Sequence, residues 1–215
     1  MKNFQTQFLD FITSENILSF GEYTLKSGRK SPYFFNAGLF NSGTSLGQVG
    51  KSYAATIAEA NLGFDVLFGP AYKGIPLVSS AAMALSQDFG INKSFSFNRK
   101  EAKDHGERGN IVGAPLKGRV LIVDDVITAG TAIREVMSLI EDAGAEATGV
   151  VVALDRQEKG QSELSAIQEI EADYNIPVIS IINLQQILDY LSLSEDRGLG
   201  DFLQPMQDYQ ESYGA

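Results

Sequence analysis

Apolar residues follow two alternating patterns along most of the chain. Short, mainly apolar runs are typical of strands buried on both faces of a parallel sheet, and they predict strands at residues 64–68, 94–98, 120–123, 147–154 and 177–182. Apolar positions at helical spacing predict helices at residues 4–12, 46–62, 75–86, 133–140 and 184–191, with another within 157–175. This alternation predicts an α/β domain with a mainly parallel central sheet flanked by helices.

The N-terminal part differs from this pattern. Residues 20–25 and 32–36 are rich in aromatic side chains and flank a turn at residues 27–30, which predicts an antiparallel hairpin outside the parallel sheet. Phe34 and Phe35 are adjacent, so in a strand they face opposite ways, and one of them is available to a ligand. Lys26 stands at the turn, where a solvated loop lysine is the alternative.

Composition excludes several kinds of chemistry. The 215 residues contain no cysteine and one histidine, which excludes disulfides and thiol catalysis and disfavours a zinc site. The net charge of −10 disfavours nonspecific nucleic-acid binding. No apolar run approaches a membrane span or a signal peptide, so we expect a cytoplasmic protein without nucleic-acid or membrane partners. No repeat or low-complexity linker divides the chain, which predicts one domain over residues 1–215.

Residues 119–134, RVLIVDDVITAGTAIR, join a predicted strand to a predicted helix through polar residues. The open helix N-terminus and the hydroxyls of Thr128 and Thr131 are a seat for one phosphate, and Gly130 allows close approach. The carboxylates of Asp124 and Asp125 suit sugar hydroxyls or a hydrated Mg²⁺. The alternative is an ordinary strand–turn–helix with a solvated acid pair. Neither GxxxxGK[ST] nor GxGxxG occurs here.

Three further segments carry candidate binding groups. Residues 69–74 repeat the strand–loop–helix pattern with Lys73 at the helix start, where a plain turn is the alternative. Residues 99–113 are polar and predict a mobile functional loop or a disordered one, the alternative being a solvated loop whose charges nearly cancel. Arg156 follows a predicted strand, where it can grip a carboxylate or form a structural salt bridge with a nearby acid.

VLIVDDVITAGTA, residues 120–132, resembles the phosphoribosyl-pyrophosphate (PRPP) motif of the type I phosphoribosyltransferases. The rest of the chain resembles the bacterial orotate phosphoribosyltransferases over nearly its whole length. This resemblance implies the type I fold with a small N-terminal hood over the base (about residues 1–40) and a catalytic lid (about 99–113). It also implies Mg²⁺-dependent transfer of ribose 5-phosphate from PRPP to orotate, giving orotidine 5′-phosphate and pyrophosphate in pyrimidine biosynthesis.

The resemblance also implies roles for individual residues. The residues implied at PRPP are Lys26, Tyr72, Lys73, Arg99, Lys100, Lys103, His105, Asp124, Asp125, Val126, Ile127, Thr128, Ala129, Gly130, Thr131 and Ala132. Those implied at orotate are Lys26, Phe34, Phe35, Thr128 and Arg156, and those implied in catalysis are Lys73, Lys103, His105, Asp124 and Asp125. Mg²⁺ is expected to be held mainly by PRPP, with Asp124 and Asp125 available to help.

The resemblance leaves some points open. It implies a non-proline cis peptide, for which Ala71–Tyr72 is the matching bond, and a homodimer whose lids serve the partner's site. Arg108 departs from the family pattern, in which we expect a small residue. Two alternatives remain: a purine phosphoribosyltransferase, which would share the PRPP motif but not the Phe34-Phe35 hood or Arg156, and a non-catalytic PRPP-sensing regulator.

Overall fold

The computed structural model describes residues 1–25, 28–103, 109–160, 163–193 and 198–215, and of residues 102, 103 and 109 it describes the backbone only. In these ranges the helices are α1 (Asn3–Ser14), α2 (Gly43–Ala60), α3 (Gly74–Phe89), α4 (Thr131–Asp142), α5 (Ala166–Tyr174), α6 (Leu184–Ser192) and α7 (Leu203–Tyr213). The strands are β1 (Leu18–Thr24), β2 (Lys30–Phe35), β3 (Val66–Gly69), β4 (Ser94–Lys103), β5 (Gly109–Gly113), β6 (Arg119–Asp124), β7 (Glu146–Asp155) and β8 (Val178–Asn183).

The central sheet has the strand order β5-β4-β3-β6-β7-β8. Its strand pairs are parallel except β4–β5, which is antiparallel. This confirms the predicted α/β fold with a mainly parallel sheet. β4 and β5 lie on one side of β3, whereas β6, β7 and β8 lie on the other. The direction in which strands are added to the sheet therefore reverses between β3 and β6. Open α/β sheets bind their ligands in the crevice at such a switch point.

The sheet separates two hydrophobic cores, as the unbroken apolar run of β6 predicts. Leu121 and Val123 pack into the core that includes α2, α3 and α6, while Val120 and Ile122 pack into the core under α4 and α5. All four side chains are fully buried. The backbone that follows β6 is therefore held from both faces.

The predicted N-terminal hairpin is confirmed as β1 and β2, a two-stranded antiparallel sheet separate from the central one. It packs against α1 and against the C-terminal helix α7, whose Met206 and Tyr209 are buried. The sequence did not predict α7, because its residues are mostly polar and few of them are buried. The hairpin thus lies between the two ends of the chain.

The prediction that residues 99–113 form a loop is wrong for their described part. Residues 99–103 continue β4, and 109–113 form β5, with Phe97 paired to Val112 and Asn98 to Ile111. Antiparallel pairing is satisfied by backbone hydrogen bonds, so a polar segment joins a sheet edge without apolar side chains to bury. The central residues of the predicted lid, 104–108, lie outside the described residues.

The opposite edge strand, β8, is covered by side chains from helices. Gln5 of α1 donates from Nε2 to the Ile181 carbonyl over 2.8 Å, and Glu171 of α5 accepts from the Val178 N–H over 2.9 Å. Asn183, which caps α6, donates its backbone N–H to Gln186 Oε1 over 3.0 Å. Within the described ranges, no helix is long and apolar enough to span a membrane.

Candidate active site

Three parallel strands bring the candidate residues to one edge of the sheet. β3, β6 and β7 are neighbours, with Phe68 paired to Ile122 and Asp124 paired to Val152. Their carboxyl ends therefore lie side by side. The loop after β3, the acid pair after β6 and Arg156 after β7 all start from this edge.

The loop after β6 exposes the start of α4. Thr128, Ala129, Thr131 and Ala132 are exposed, as a binding loop requires. Gly130 has a φ of +70°, and a Cβ there would lie 2.5 Å from Arg134 Nη1. The positive φ therefore disfavours any side chain at this position, and a Cβ would also force the Arg134 side chain to move. The unpaired N–H groups of the first helical turn face outwards, which suits an anion such as phosphate.

Asp124 and Asp125 are both buried at the end of β6. The Asp125 N–H donates to Asp124 Oδ1 over 2.9 Å, and the Tyr53 hydroxyl donates to the Asp124 backbone carbonyl over 2.7 Å. Burial, and then the neighbouring Asp125 charge, raise the pKa of Asp124 to about 7. The site therefore holds two close carboxyl groups, one of which is destabilised in its ionised form.

Lys73 joins the two loops. Its Nζ lies 2.7 Å from Asp125 Oδ2, although most of the lysine side chain is exposed. The Ala71–Tyr72 peptide bond is cis, as expected, and the Ala71 N–H donates to Asn98 Oδ1 over 2.8 Å. The loop after β3 is thus fixed from β4 on one side and from the acid pair on the other.

The β3 loop also depends on close backbone packing. A Cβ at Gly69 would lie 2.6 Å from Val78 Cγ1 and would overlap the backbone of Gly74. Tyr72 projects from the loop with 69% of its surface exposed, and the Lys100 ammonium lies 5.6 Å from its ring centroid. This cation–π contact brings one base of the predicted lid over the loop after β3.

Arg156 lies near the acid pair but is held by another acid. The Ala153 N–H donates to the Asp125 carbonyl over 2.9 Å, so Arg156, three residues on, starts within about 11 Å of that bond. Its Nε donates to Glu158 Oε1 over 2.9 Å, and its guanidinium lies 4.6 Å from the Tyr33 ring centroid. The structure therefore contains the salt bridge that the sequence left as one alternative.

The two hood phenylalanines face opposite ways, as predicted. Phe35 is buried and packs against Phe40, whereas Phe34 is 39% exposed and stacks on Tyr23, with ring centroids 5.5 Å apart. Phe34 is therefore the one whose side chain a ligand can reach.

Comparison with known proteins decides between the alternatives. The sequence model of the phosphoribosyl transferase domain family matches residues 41–177, more than half of the chain. Over the full length of both chains, the sequence is 59% identical to the orotate phosphoribosyltransferase of Marinobacter nauticus and 56% identical to that of Pseudomonas aeruginosa. The crystal structure of the Francisella tularensis orotate phosphoribosyltransferase superposes with a TM-score of 0.87 at 42% identity, covering 97% of this chain and 100% of that one. The chain belongs to the orotate phosphoribosyltransferases.

Membership of the orotate phosphoribosyltransferases makes the chain a pentosyltransferase enzyme and favours orotate over the purine and regulator alternatives. The structure brings Tyr72, Lys73, Lys100, Asp124 and Asp125 together. Arg99 lies on β4, and the exposed loop before α4 follows the acid pair. Lys26 and His105 lie outside the described residues, as does the Lys103 side chain.

Two residues missed by the sequence analysis support this orotate phosphoribosyltransferase site. Asn98 fixes the loop after β3, and Tyr53 fixes the carbonyl of Asp124. Tyr53 is fully buried, and its only sequence signal is a polar-tipped aromatic within the apolar face of α2. Asn98 is the last residue of the predicted strand 94–98, and a polar residue at the end of a strand is too common to indicate a function.

Asp124 and Asp125 supply too few oxygens to hold Mg²⁺ by themselves, so the ion would be shared with the substrate. Among the described residues, no group of three or more acids or histidines is placed to hold a metal. Asp124 and Asp125 supply carboxylate oxygens, which Mg²⁺ accepts alongside water and substrate phosphates. The donor set fits an ion bound mainly by the substrate.

Proposed function

We propose that this orotate phosphoribosyltransferase transfers ribose 5-phosphate from PRPP to orotate in the de novo synthesis of UMP, using the sheet edge at β3, β6 and β7. The supporting observation is the Lys73–Asp125 pair, which joins two anion-suited loops across the switch point. PRPP carries phosphate at both ends of a ribose, so two such loops with carboxylates between them match its chemistry.

At the ribose end, residues 128–132 hold the 5′-phosphate through the N–H groups and hydroxyls at the start of α4, with Val126 and Ile127 shaping the approach. Asp124 and Asp125 accept hydrogen bonds from the ribose hydroxyls. Displacement at the anomeric carbon develops oxocarbenium character, and a nearby carboxylate stabilises that positive charge. No general base is required if the reacting nitrogen of orotate is already anionic.

At the pyrophosphate end, Tyr72 and Lys73 contact the leaving group, and Arg99, Lys100, Lys103 and His105 approach it from β4 and the lid. Mg²⁺ bound with PRPP would neutralise charge on the leaving pyrophosphate. The basic residues contribute local positive charge that the chain as a whole, at −10, lacks. Closure of the lid (about 99–113) excludes water that would hydrolyse PRPP.

At the base, Arg156 pairs with the orotate carboxylate, and Thr128 and Lys26 approach from the ribose side. Phe34 and Phe35 form the hood. We further propose that residues 1–215 act as one domain, including a hood at about 1–40, that the enzyme is cytoplasmic, and that it works as a homodimer.

The reaction is tested by incubating the protein with PRPP and each free nucleobase, with and without Mg²⁺. We expect orotidine 5′-phosphate from orotate only when a divalent metal is present, because pyrophosphate is a poor leaving group until its charge is neutralised. Turnover of adenine, guanine or hypoxanthine without turnover of orotate would overturn the assignment.

The base clamp is tested by Arg156→Ala. We expect orotate affinity to fall by about 1.5–3 kcal/mol, the range for a charge-assisted contact to a carboxylate, with little change for PRPP. Binding constants for both substrates provide the measurement. An equal loss for both substrates would show that Arg156 does not select the base.

Lid sharing is tested by mixing two inactive variants. Lys103→Ala leaves the pocket intact, and the double variant Asp124→Asn/Asp125→Asn leaves the lid intact. Refolding them together makes about half the dimers mixed. If each lid serves the partner's site, every mixed dimer has one intact site, and activity recovers to roughly a quarter of wild type. Verified mixed dimers without recovery would show that each lid serves its own chain.

A further inference from the structure

The C-terminal segment reaches the residue proposed to bind the base. Glu158 Oε1 accepts from the Tyr33 hydroxyl over 2.8 Å and from Arg156 Nε over 2.9 Å, while its Oε2 accepts from Arg29 Nη1 over 3.3 Å. The Glu158 side chain is 11% exposed. One carboxylate therefore links the hood, through Tyr33 and Arg29, to the end of β7, through Arg156.

The last residues of the chain pack over this link. The Arg29 guanidinium lies 4.4 Å from the Tyr213 ring centroid. The Lys159 N–H donates to the Tyr213 carbonyl over 2.8 Å, and the Ala215 N–H donates to the Gln157 carbonyl over 2.9 Å. Residues 213–215, the C-terminal strap, thus run beside the segment that carries Glu158 and hold it by backbone hydrogen bonds.

The cluster also has spare positive charge and a spare donor. Arg29 and Arg156 face one carboxylate, so these three groups carry a net charge of +1. Arg156 Nη2 is buried and lies 2.8 Å from Glu158 Oε1 but outside hydrogen-bond geometry, so it has no hydrogen-bond acceptor among the described residues. A half-buried cluster of this kind is completed by one more anion, and a carboxylate supplies both the charge and the acceptor.

We infer that Glu158 is a positioning residue for base recognition and that the C-terminal strap holds it in place. Glu158 Oε1 lies against both Nε and Nη2 of Arg156 and so fixes the orientation in which the guanidinium meets the orotate carboxylate, while Tyr33 limits how far the guanidinium plane can tilt. The strap acts from outside the site, by ordering residues 157–159 and the Arg29 side chain. This inference rests on the proposed pairing of Arg156 with orotate.

The test is a double-mutant cycle between the strap and Arg156. A chain ended at Ser212 lacks the strap, and it is measured alone and combined with Arg156→Ala. We expect the truncation to raise KM for orotate about 3- to 10-fold while kcat at saturating orotate and KM for PRPP stay within about twofold, since only the ordering of one contact is lost. In the Arg156→Ala background the truncation should have no further effect on orotate.

The outcomes separate the two proposals. If Arg156→Ala leaves orotate binding unchanged, the clamp itself is wrong. If Arg156→Ala weakens orotate but the truncation does not, or weakens it equally in both backgrounds, the clamp stands and the strap inference is overturned. An equal rise of both KM values also overturns it, because a general loss of structure would affect PRPP as well.

A single substitution keeps the test sound if the truncated chain folds poorly. Tyr213→Leu removes the ring beneath Arg29 and keeps the backbone bonds, so we expect a smaller shift of the same kind, confined to KM for orotate. Tyr174→Leu is the matched control, because this half-buried tyrosine ends α5 and packs against the other core. An equal orotate effect from the control variant would refute the inference.

Discussion

Replacing Asp124 by asparagine is expected to stabilise the ligand-free protein, and to do so more at pH 8 than at pH 5. Asp124 is buried beside Asp125, and its pKa rises from 3.8 to about 7 on folding. A carboxyl whose pKa is raised binds more protons in the folded than in the unfolded state between these two values. Stability therefore falls as the pH rises through that window.

The magnitude follows from the shift. Each pKa unit corresponds to about 1.4 kcal/mol. The raised pKa therefore costs the folded state about 4 kcal/mol at pH 8, where Asp124 is ionised, and about 2 kcal/mol at pH 5, where Asp124 takes up a proton on folding. Asparagine carries no charge, has nearly the same shape, and its side-chain oxygen can still accept from the Asp125 N–H. We therefore expect the stabilisation by Asp124→Asn to be about 2 kcal/mol larger at pH 8.

The assay is urea unfolding of both proteins at pH 5 and pH 8, without substrates. Asp142→Asn provides the control, because this aspartate is exposed at the end of α4. The control variant should change stability by a similar small amount at both pH values. Equal effects of Asp124→Asn at the two pH values, or a loss of stability at pH 8, would refute the electrostatic reasoning. The same substitution should reduce activity, so the gain in stability would come at the expense of catalysis.

Other variants test the supporting contacts. Gly69→Ala should destabilise the protein by roughly 1–3 kcal/mol in urea unfolding and abolish PRPP binding, because its Cβ would overlap the Gly74 backbone. Gly47→Ala, in open space on α2, is the control and should be neutral or stabilising by about 0.5–1 kcal/mol in the same assay. Tyr53→Phe should cost about 1–2 kcal/mol in urea unfolding by removing the hydroxyl that bonds the Asp124 carbonyl, and an unchanged midpoint would contradict that role.

The central elements were predictable because burial on both faces leaves a strong signal. The apolar run of β6 and the helical spacing of Ile133, Val136 and Ile140 match the structure. Strand ends were less certain: residues 64–68 were predicted, whereas β3 is Val66–Gly69. Backbone pairing, which the apolar pattern does not encode, decided that boundary.

Contacts between residues far apart in the chain could not be predicted from the sequence pattern. The pairs Lys73–Asp125 and Tyr33–Glu158 join residues 52 and 125 positions apart. Residue types alone made Lys73 and Asp125 candidates, but they gave no reason to connect Glu158 with the hood. The polar segments 99–103 and 109–113 were misjudged for a related reason: pairing at a sheet edge needs a backbone partner rather than an apolar side chain.

The side-chain contacts along β8 have a consequence for how the protein avoids the addition of a strand from another chain. An edge strand with free backbone groups invites another chain to add a strand. Here Gln5, Glu171 and Gln186 each bond one backbone group of β8, and they lie on α1 and on the helices directly before and after the strand. These three contacts form only once α1, α5 and α6 have packed around the strand. A chain that has formed β8 before these helices pack would lack the three side-chain contacts and would be more open to strand addition than the folded protein.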